Sequence, residues 1–148
     1  MTDGMTRETA QAVAIMADAV YTWLESNMAA YNVGFEFLPL ESPALMLQTQ
    51  TTDPVAKEYK SGRRLYRYEF GLLLRMDNSD TASRLNNQRE LIAICDAVLG
   101  ADLAAAGFRV WEIRQDTTPR VMSTDDGMDV CLATLHVDYE KVTTTASE

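Results

Sequence analysis

The residue types that could carry out chemistry are few. His136 is the single histidine, and along its strand-like run it has Thr134 and Asp138 two positions to either side. The chemistry such a pair could serve is a general base oriented by a carboxylate. Residues two apart on a strand are separated by about 7 Å, too far for direct coupling, so His136 reads as a solvated or interface histidine on an outer strand face. Asp125, Asp126 and Asp129 cluster without the ligand spacing of a calcium loop, and read as a solvated turn. Cys95 and Cys131 lie among apolar neighbours with no CxxC or Cys/His spacing, which makes them buried free thiols. There is no Gly-rich phosphate loop, no GxSxG elbow and no paired-carboxylate motif. No residue is therefore nominated as catalytic, cofactor-binding or metal-binding; no cofactor is expected, and the chain reads as non-enzymatic.

The basic residues are concentrated in one place. Arg63, Arg64, Arg67 and Arg75 interleave with Tyr66 and Tyr68, the composition of a platform for single-stranded nucleic acid. The alternation argues against that use. Arg64, Tyr66, Tyr68, Phe70, Leu72, Leu74 and Met76 occupy every second position, so the two tyrosines share a face with aliphatic residues and pack in a core. The opposite face carries Leu65, Arg67, Glu69, Gly71, Leu73 and Arg75, a mixed surface turned outward. Charge points the same way. Twenty-two acidic against 13 basic residues leave −9, a field that repels nucleic-acid phosphates and anionic lipid while allowing DNA to slide past an acidic lining.

The elements that must position these residues follow from period and punctuation. The length of 148 residues with 47% apolar composition suits one domain with its own core, loose only up to about Thr6 and from about Val142. The start of the chain has no basic stretch leading into an apolar run, and 18 consecutive apolar residues occur nowhere; folding in a reducing cytosol, away from membranes, is the expectation. From Thr6 to Asn27 the spacing of Val13, Met16, Ala17, Val20 and Leu24 predicts an amphipathic helix. Strands are predicted over Val33–Leu38 and Ala44–Thr51, separated by Pro39 and Pro43. Asp53-Pro54-Val55 then leads through the turn signal Tyr59-Lys60-Ser61-Gly62 into the long alternating strand. Asn78-Ser79-Asp80 supplies caps for a second helix whose apolar face is drawn by Leu85, Ile92, Cys95 and Leu99, with Gly100 as its stop. Phe108–Gln115 is a strand, Asp116–Pro119 and Asp125-Asp126-Gly127 are turns, and Cys131, Ala133, Leu135, Val137 and Tyr139 share one face of a final strand. The order predicts an α+β fold: a mainly antiparallel β-sheet with two α-helices packed on one face.

Asp53-Pro54-Val55, Lys57, Tyr59, Gly62 and the alternating Tyr66, Tyr68, Phe70, Leu72, Leu74, Arg75, preceded by Ala44-Leu45-Met46-Leu47-Gln48, resemble the minor-capsid or tail-terminator proteins of long-tailed bacteriophages. The resemblance is carried by residues 40–76 and implies a virion component assembled in the host cytoplasm and placed at the head–tail interface. Its subunits would form a ring, a hexamer in the family, that caps the tail tube and joins it to the head connector. The implied partners are other copies of the chain, the tail tube protein and the connector or neck protein, with DNA passing through the lumen. A related neck, tail-completion or tube protein, and a small cytosolic ligand-binding domain, are the alternatives. In a ring the long strand Arg64–Met76, longer than a small sheet can cover, would offer Arg63, Arg64, Leu65, Arg67, Glu69 and Leu73 to a neighbouring subunit.

Overall fold

A computed structural model describes residues 6–50, 53–77, 81–125 and 127–142. Along the chain run α1 (Arg7–Asn27), β1 (Asn32–Phe35), β2 (Ala44–Thr49), β3 (Val55–Glu58), β4 (Arg64–Asp77), α2 (Thr81–Leu99), β5 (Phe108–Gln115), β6 (Arg120–Asp125) and β7 (Met128–Lys141). The strands form one seven-stranded sheet in the order β1-β2-β4-β7-β5, with β3 beside β4 and β6 beside β7. Only β1–β2 is parallel. The fold is α+β, as the alternation of patterns predicts.

The two 14-residue strands β4 and β7 are its axis. They pair without interruption from Leu65 opposite Glu140 to Asp77 opposite Met128. One face of this pair presents Tyr66, Tyr68, Phe70, Leu72 and Leu74 with Cys131, Ala133, Leu135, Val137 and Tyr139, all buried. Both helices close over that face in one apolar cluster, α1 through Met16, Val20 and Leu24 and α2 through Leu91, Ile94 and Val98. Each such side chain contributes about 1.5–3 kcal/mol when fully buried. The aromatic rings interlock, with Tyr68 stacked on Phe70 at 5.3 Å between centroids and Phe108 edge-on to Tyr139 at the same distance. Helix α1 starts where Thr6 accepts a hydrogen bond from the Thr9 amide at 3.1 Å, a side-chain N-cap.

Several expectations need correction. Helix α2 buries Asn87, Leu91, Ile94, Cys95 and Val98; of the face drawn from the sequence only Cys95 is inside, while Leu85, Ile92 and Leu99 are exposed. The proposed face lies on one flank of the true one, because a spacing of seven describes either equally well. Strand β4 is not left open: β7 covers one edge, and β2 and β3 divide the other between them. Strand β6 lies between two turns that the sequence marks, its short run carrying too little alternation to stand out. The suggested caps at 78–80, the end of the second predicted strand at Thr51 and the loose ends at 1–5 and 143–148 lie outside the described residues, as does Asp126.

Two buried phenols make a matched test of the core. The Tyr68 hydroxyl is 2.8 Å from the Thr49 hydroxyl, whereas that of Tyr139 has no hydrogen-bond partner among the described residues. Urea denaturation is expected to show Tyr68→Phe losing about 1 kcal/mol and Tyr139→Phe losing nothing or gaining up to about 1 kcal/mol. Equal losses in both would mean that the Tyr139 hydroxyl finds water.

Candidate subunit interface

The helix-free face of the sheet holds most of the residues expected at a subunit contact, Arg64 being in step with Tyr66 on the other face. The β4–β7 register sets Leu65 opposite Glu140, Arg67 opposite Asp138, Glu69 opposite His136 and Leu73 opposite Leu132, all on this face. Cross-strand neighbours on one face lie within about 5.5 Å at the backbone, so charges alternating along one strand meet those of the other. Arg67 grips Asp138 with two bonds, Nε to Oδ1 at 2.8 Å and Nη2 to Oδ2 at 3.2 Å, the bidentate geometry that makes guanidinium–carboxylate pairs specific. That hydrogen bond holds the Arg67 guanidinium above its ordinary range.

Glu140 is the hub at the other end. It accepts from Arg63 Nε at 2.5 Å, from Trp111 Nε1 at 3.0 Å and from Arg109 Nη2 at 3.4 Å. Trp111 reaches it because a register shift between Val110 and Glu112 leaves the tryptophan as the extra residue of a bulge. The Arg63 hydrogen bond, seconded by Trp111 and the charge of Arg109, holds the Glu140 carboxyl below its usual range against the opposing effect of burial. Arg63 also lies over the Tyr59 ring at 4.9 Å, as does Lys57 at 5.0 Å, so the β3–β4 turn is tied to the end of β7 by a cation–π contact and an ion pair together. Arg64 has Glu58 of the same hairpin at 3.7 Å.

His136 is not a solvated side chain. It is 8% exposed, and its Nδ1 lies 2.8 Å from Oδ1 of Asp116, in the turn after β5. Asp138 is farther, 3.9 Å from Nε2. The carboxylate facing the histidine thus comes from a turn that folds over the sheet, a long-range pairing invisible to strand spacing. Both cysteines are buried free thiols, as their apolar neighbours predict, and burial pushes the Cys95 thiol up to about 12. Among the described residues no group of three or more His, Cys, Asp or Glu side chains is arranged to hold a metal ion, and no helix is long and apolar enough to cross a membrane.

Of the expected contact residues Leu65, Arg67, Glu69 and Leu73 are gathered on this face and Arg63 reaches it through Glu140, with Leu65 and Leu73 half-buried toward its two ends, whereas Arg64 is in step with Tyr66 on the helix-bearing face. Arg63, Arg64 and Arg67 have their carboxylate partners within the chain, at Glu140, Glu58 and Asp138. Trp111, Arg109 and Asp116 join this face without having been singled out in the sequence. The one available signal for the network was the charge alternation of β4 set against His136, Asp138 and Glu140.

Among solved structures with this fold is a chain from the virion of a native gene transfer agent particle. It is 17% identical, with 91% of this chain and 99% of that chain covered at a TM-score of 0.64. A second solved chain, also 17% identical, aligns over 95% of this chain and 99% of its own length at a TM-score of 0.51. No family model matches the sequence, and no curated protein matches it. At this identity the likeness establishes the fold.

Two substitutions test the network. Because the folded protein lowers the Glu140 pKa, this carboxylate stabilises the fold above its ordinary value of 4.5 and loses that contribution as pH falls through the folded value. Glu140→Gln is expected to melt lower than wild type at neutral pH and to lose less stability below pH 4.5; parallel curves would show that Glu140 does not govern the acid limb. His136→Ala should cost about 2 kcal/mol in denaturant unfolding, the scale for removing a buried hydrogen bond to a charged group. A loss under about 0.5 kcal/mol would reduce the Asp116 contact to a surface ornament.

Proposed function

We propose that the chain is a structural subunit of a phage-like virion, and within that class a tail terminator that caps the tail tube and joins it to the head connector. The observation that carries the reading is the fold likeness across nearly all of this chain and of a chain in the gene transfer agent virion. The resemblance of residues 40–76 to tail terminators supports the finer assignment. Work of this kind needs a rigid wedge with complementary flanks and no catalytic group.

In the proposed ring, most simply a hexamer, the β3–β4 arm with Arg63 and Arg64 and the outer face with Leu65, Arg67, Glu69 and Leu73 meet a neighbour. Six copies bring roughly −54 of charge together, so like-charged flanks repel unless the seam is locally balanced. The outer face supports such a seam because its guanidiniums and carboxylates offset one another. The ring would sit at the head–tail interface of the virion, with tube protein on one side, connector or neck protein on the other, and DNA passing through without sequence-specific contacts.

Sedimentation and electron microscopy of the protein with tail tubes should show ring-sized assemblies at tube ends. Arg63→Glu with Arg64→Glu is expected to leave a folded monomer by circular dichroism, block ring formation and yield particles with unjoined heads and tails. Rings and joined particles at wild-type levels in the double variant would remove the arm from the contact. Binding to the connector but never to tube ends would move the protein to the neck.

A further inference from the structure

The helix-bearing side of the molecule carries two exposed apolar surfaces that the outer face does not involve. The first is a groove of about 330 Å³ lined by Ala14, Ala17, Asp18, Tyr21, Phe35 and Phe37. Phe35 and Phe37 are 39% and 61% exposed. Their position is built in: Glu36 adopts a left-handed φ of 62°, its carboxylate accepts from the Thr49 amide at 3.0 Å, and a Cβ at Gly34 would lie 2.5 Å from the Phe37 carbonyl oxygen. The turn after β1 is thereby fixed with its aromatic residues outward. The second surface is the line Leu85, Ile92 and Leu99 on α2, at 50%, 39% and 36% exposure, with Val121 of β6 at 38%.

These surfaces point in opposite directions. With 100° per residue, the groove residues of α1 occupy one flank of its buried Met16–Val20–Leu24 stripe, while Ala19, Thr22 and Trp23 on the other flank line a hollow with Asp102 and Ala104, just after α2. The groove therefore faces away from α2. On α2, Glu90 accepts from Tyr31 on the α1 side, and Gln88 donates to the Pro119 carbonyl on the β5–β6 side at 2.7 Å. Leu85, Ile92 and Leu99 share the flank of Gln88, so the ridge faces away from α1. Val121 is opposite Cys131 and so belongs to the helix-bearing face at the same edge.

Charge differs between the flanks as well. Residues 6–43 carry five carboxylates, Glu8, Asp18, Glu25, Glu36 and Glu41, against Arg7 alone, whereas residues 81–122, which include the ridge, balance five arginines, Arg84, Arg89, Arg109, Arg114 and Arg120, with five carboxylates. One flank is acidic around an apolar groove; the other is charge-balanced beside an apolar ridge, so groove against ridge avoids the like-charge repulsion of groove against groove. Within one chain the two cannot meet. Between two copies related by a rotation they meet head to tail, and repetition leaves no groove or ridge unfilled only when the ring closes.

We propose that the α2 ridge of one copy docks in the α1–β1 groove of the next copy, forming the helical layer of the subunit seam; this rests on the ring reading above. The test is sedimentation velocity, at concentrations up to millimolar, of wild type, Phe37→Glu, Ile92→Glu and an equimolar mixture of the two variants. Wild type is expected to form rings. Each variant alone stays monomeric, with the concentration for half-assembly raised at least about tenfold and its thermal melt unchanged. The mixture forms a one-to-one dimer and nothing larger, because the remaining intact groove and intact ridge belong to different chains. Ala14→Arg and Leu85→Glu, at exposed positions, repeat the pair should either first variant fail to fold. Rings that persist in a folded variant overturn this contact and leave the ring reading standing, as does a mixture that blocks rings but gives no dimer. A wild type that stays monomeric throughout overturns both, including the case in which Phe37→Glu abolishes binding to tail tubes instead.

Discussion

The register between β4 and β7 is the constraint on which the rest of the molecule depends. Two 14-residue strands pair without a bulge, and a period of two assigns every residue of both to one face or the other. A slip of β4 by one position would send Tyr68 and Phe70 to solvent and drive Arg67 under the helices, and a slip of β7 would do the same with Tyr139 against Asp138 and His136. Such an exchange exposes the largest apolar side chains and strands charges in the core, so the register is held by both faces at once. The flanking strands accommodate this rigid pair: β3, β5 and β6 each carry a register shift, whereas β4–β7 carries none.

The outer face is stable for a different reason. No helix covers it, yet Asp138 and Glu140 are only 7% and 8% exposed. Their desolvation is offset by fixed donors, two from Arg67 on Asp138 and three groups around Glu140. Long arginine stems lie over the strands and serve as the cover that a second layer would otherwise provide. Removing one partner would leave a sequestered carboxylate, a costlier state than never having paired it.

The sequence was most legible where one strong pattern met one clear punctuation. The start of α1, the end of α2 and the division of β4 and β7 into two faces follow from period and from Thr6, Gly100 and Gly62. Helix α2 was misread because Leu85, Ile92 and Leu99 repeat as regularly as Leu91, Ile94 and Val98, and periodicity alone does not say which of two apolar lines meets the sheet. His136 was misplaced because its partner Asp116 is 20 residues away, beyond any local rule. The alternation from Arg64 to Met76 is legible in a single strand, but the ion-pair partners of Arg63, Arg64 and Arg67 depend on register, which no single strand reveals.

That α2 carries two apolar lines has a consequence for how this molecule can associate. The arginines of the arm and the outer face are already neutralised within the chain, at Glu140, Glu58 and Asp138, so a neighbour gains little from their charge without first breaking a formed pair. Surfaces whose burial requires no such exchange are the apolar ones, and each Å² of apolar area removed from water contributes about 25 cal/mol. They lie on opposite flanks because two helices share one sheet face, each covering its own half and leaving its far side bare. A two-fold dimer would bring like surface against like, groove to groove or ridge to ridge, and on the α1 side would set five carboxylates against five. Propagation from one flank to the opposite flank avoids that repulsion, and it follows from the same placement of the helices that makes the core.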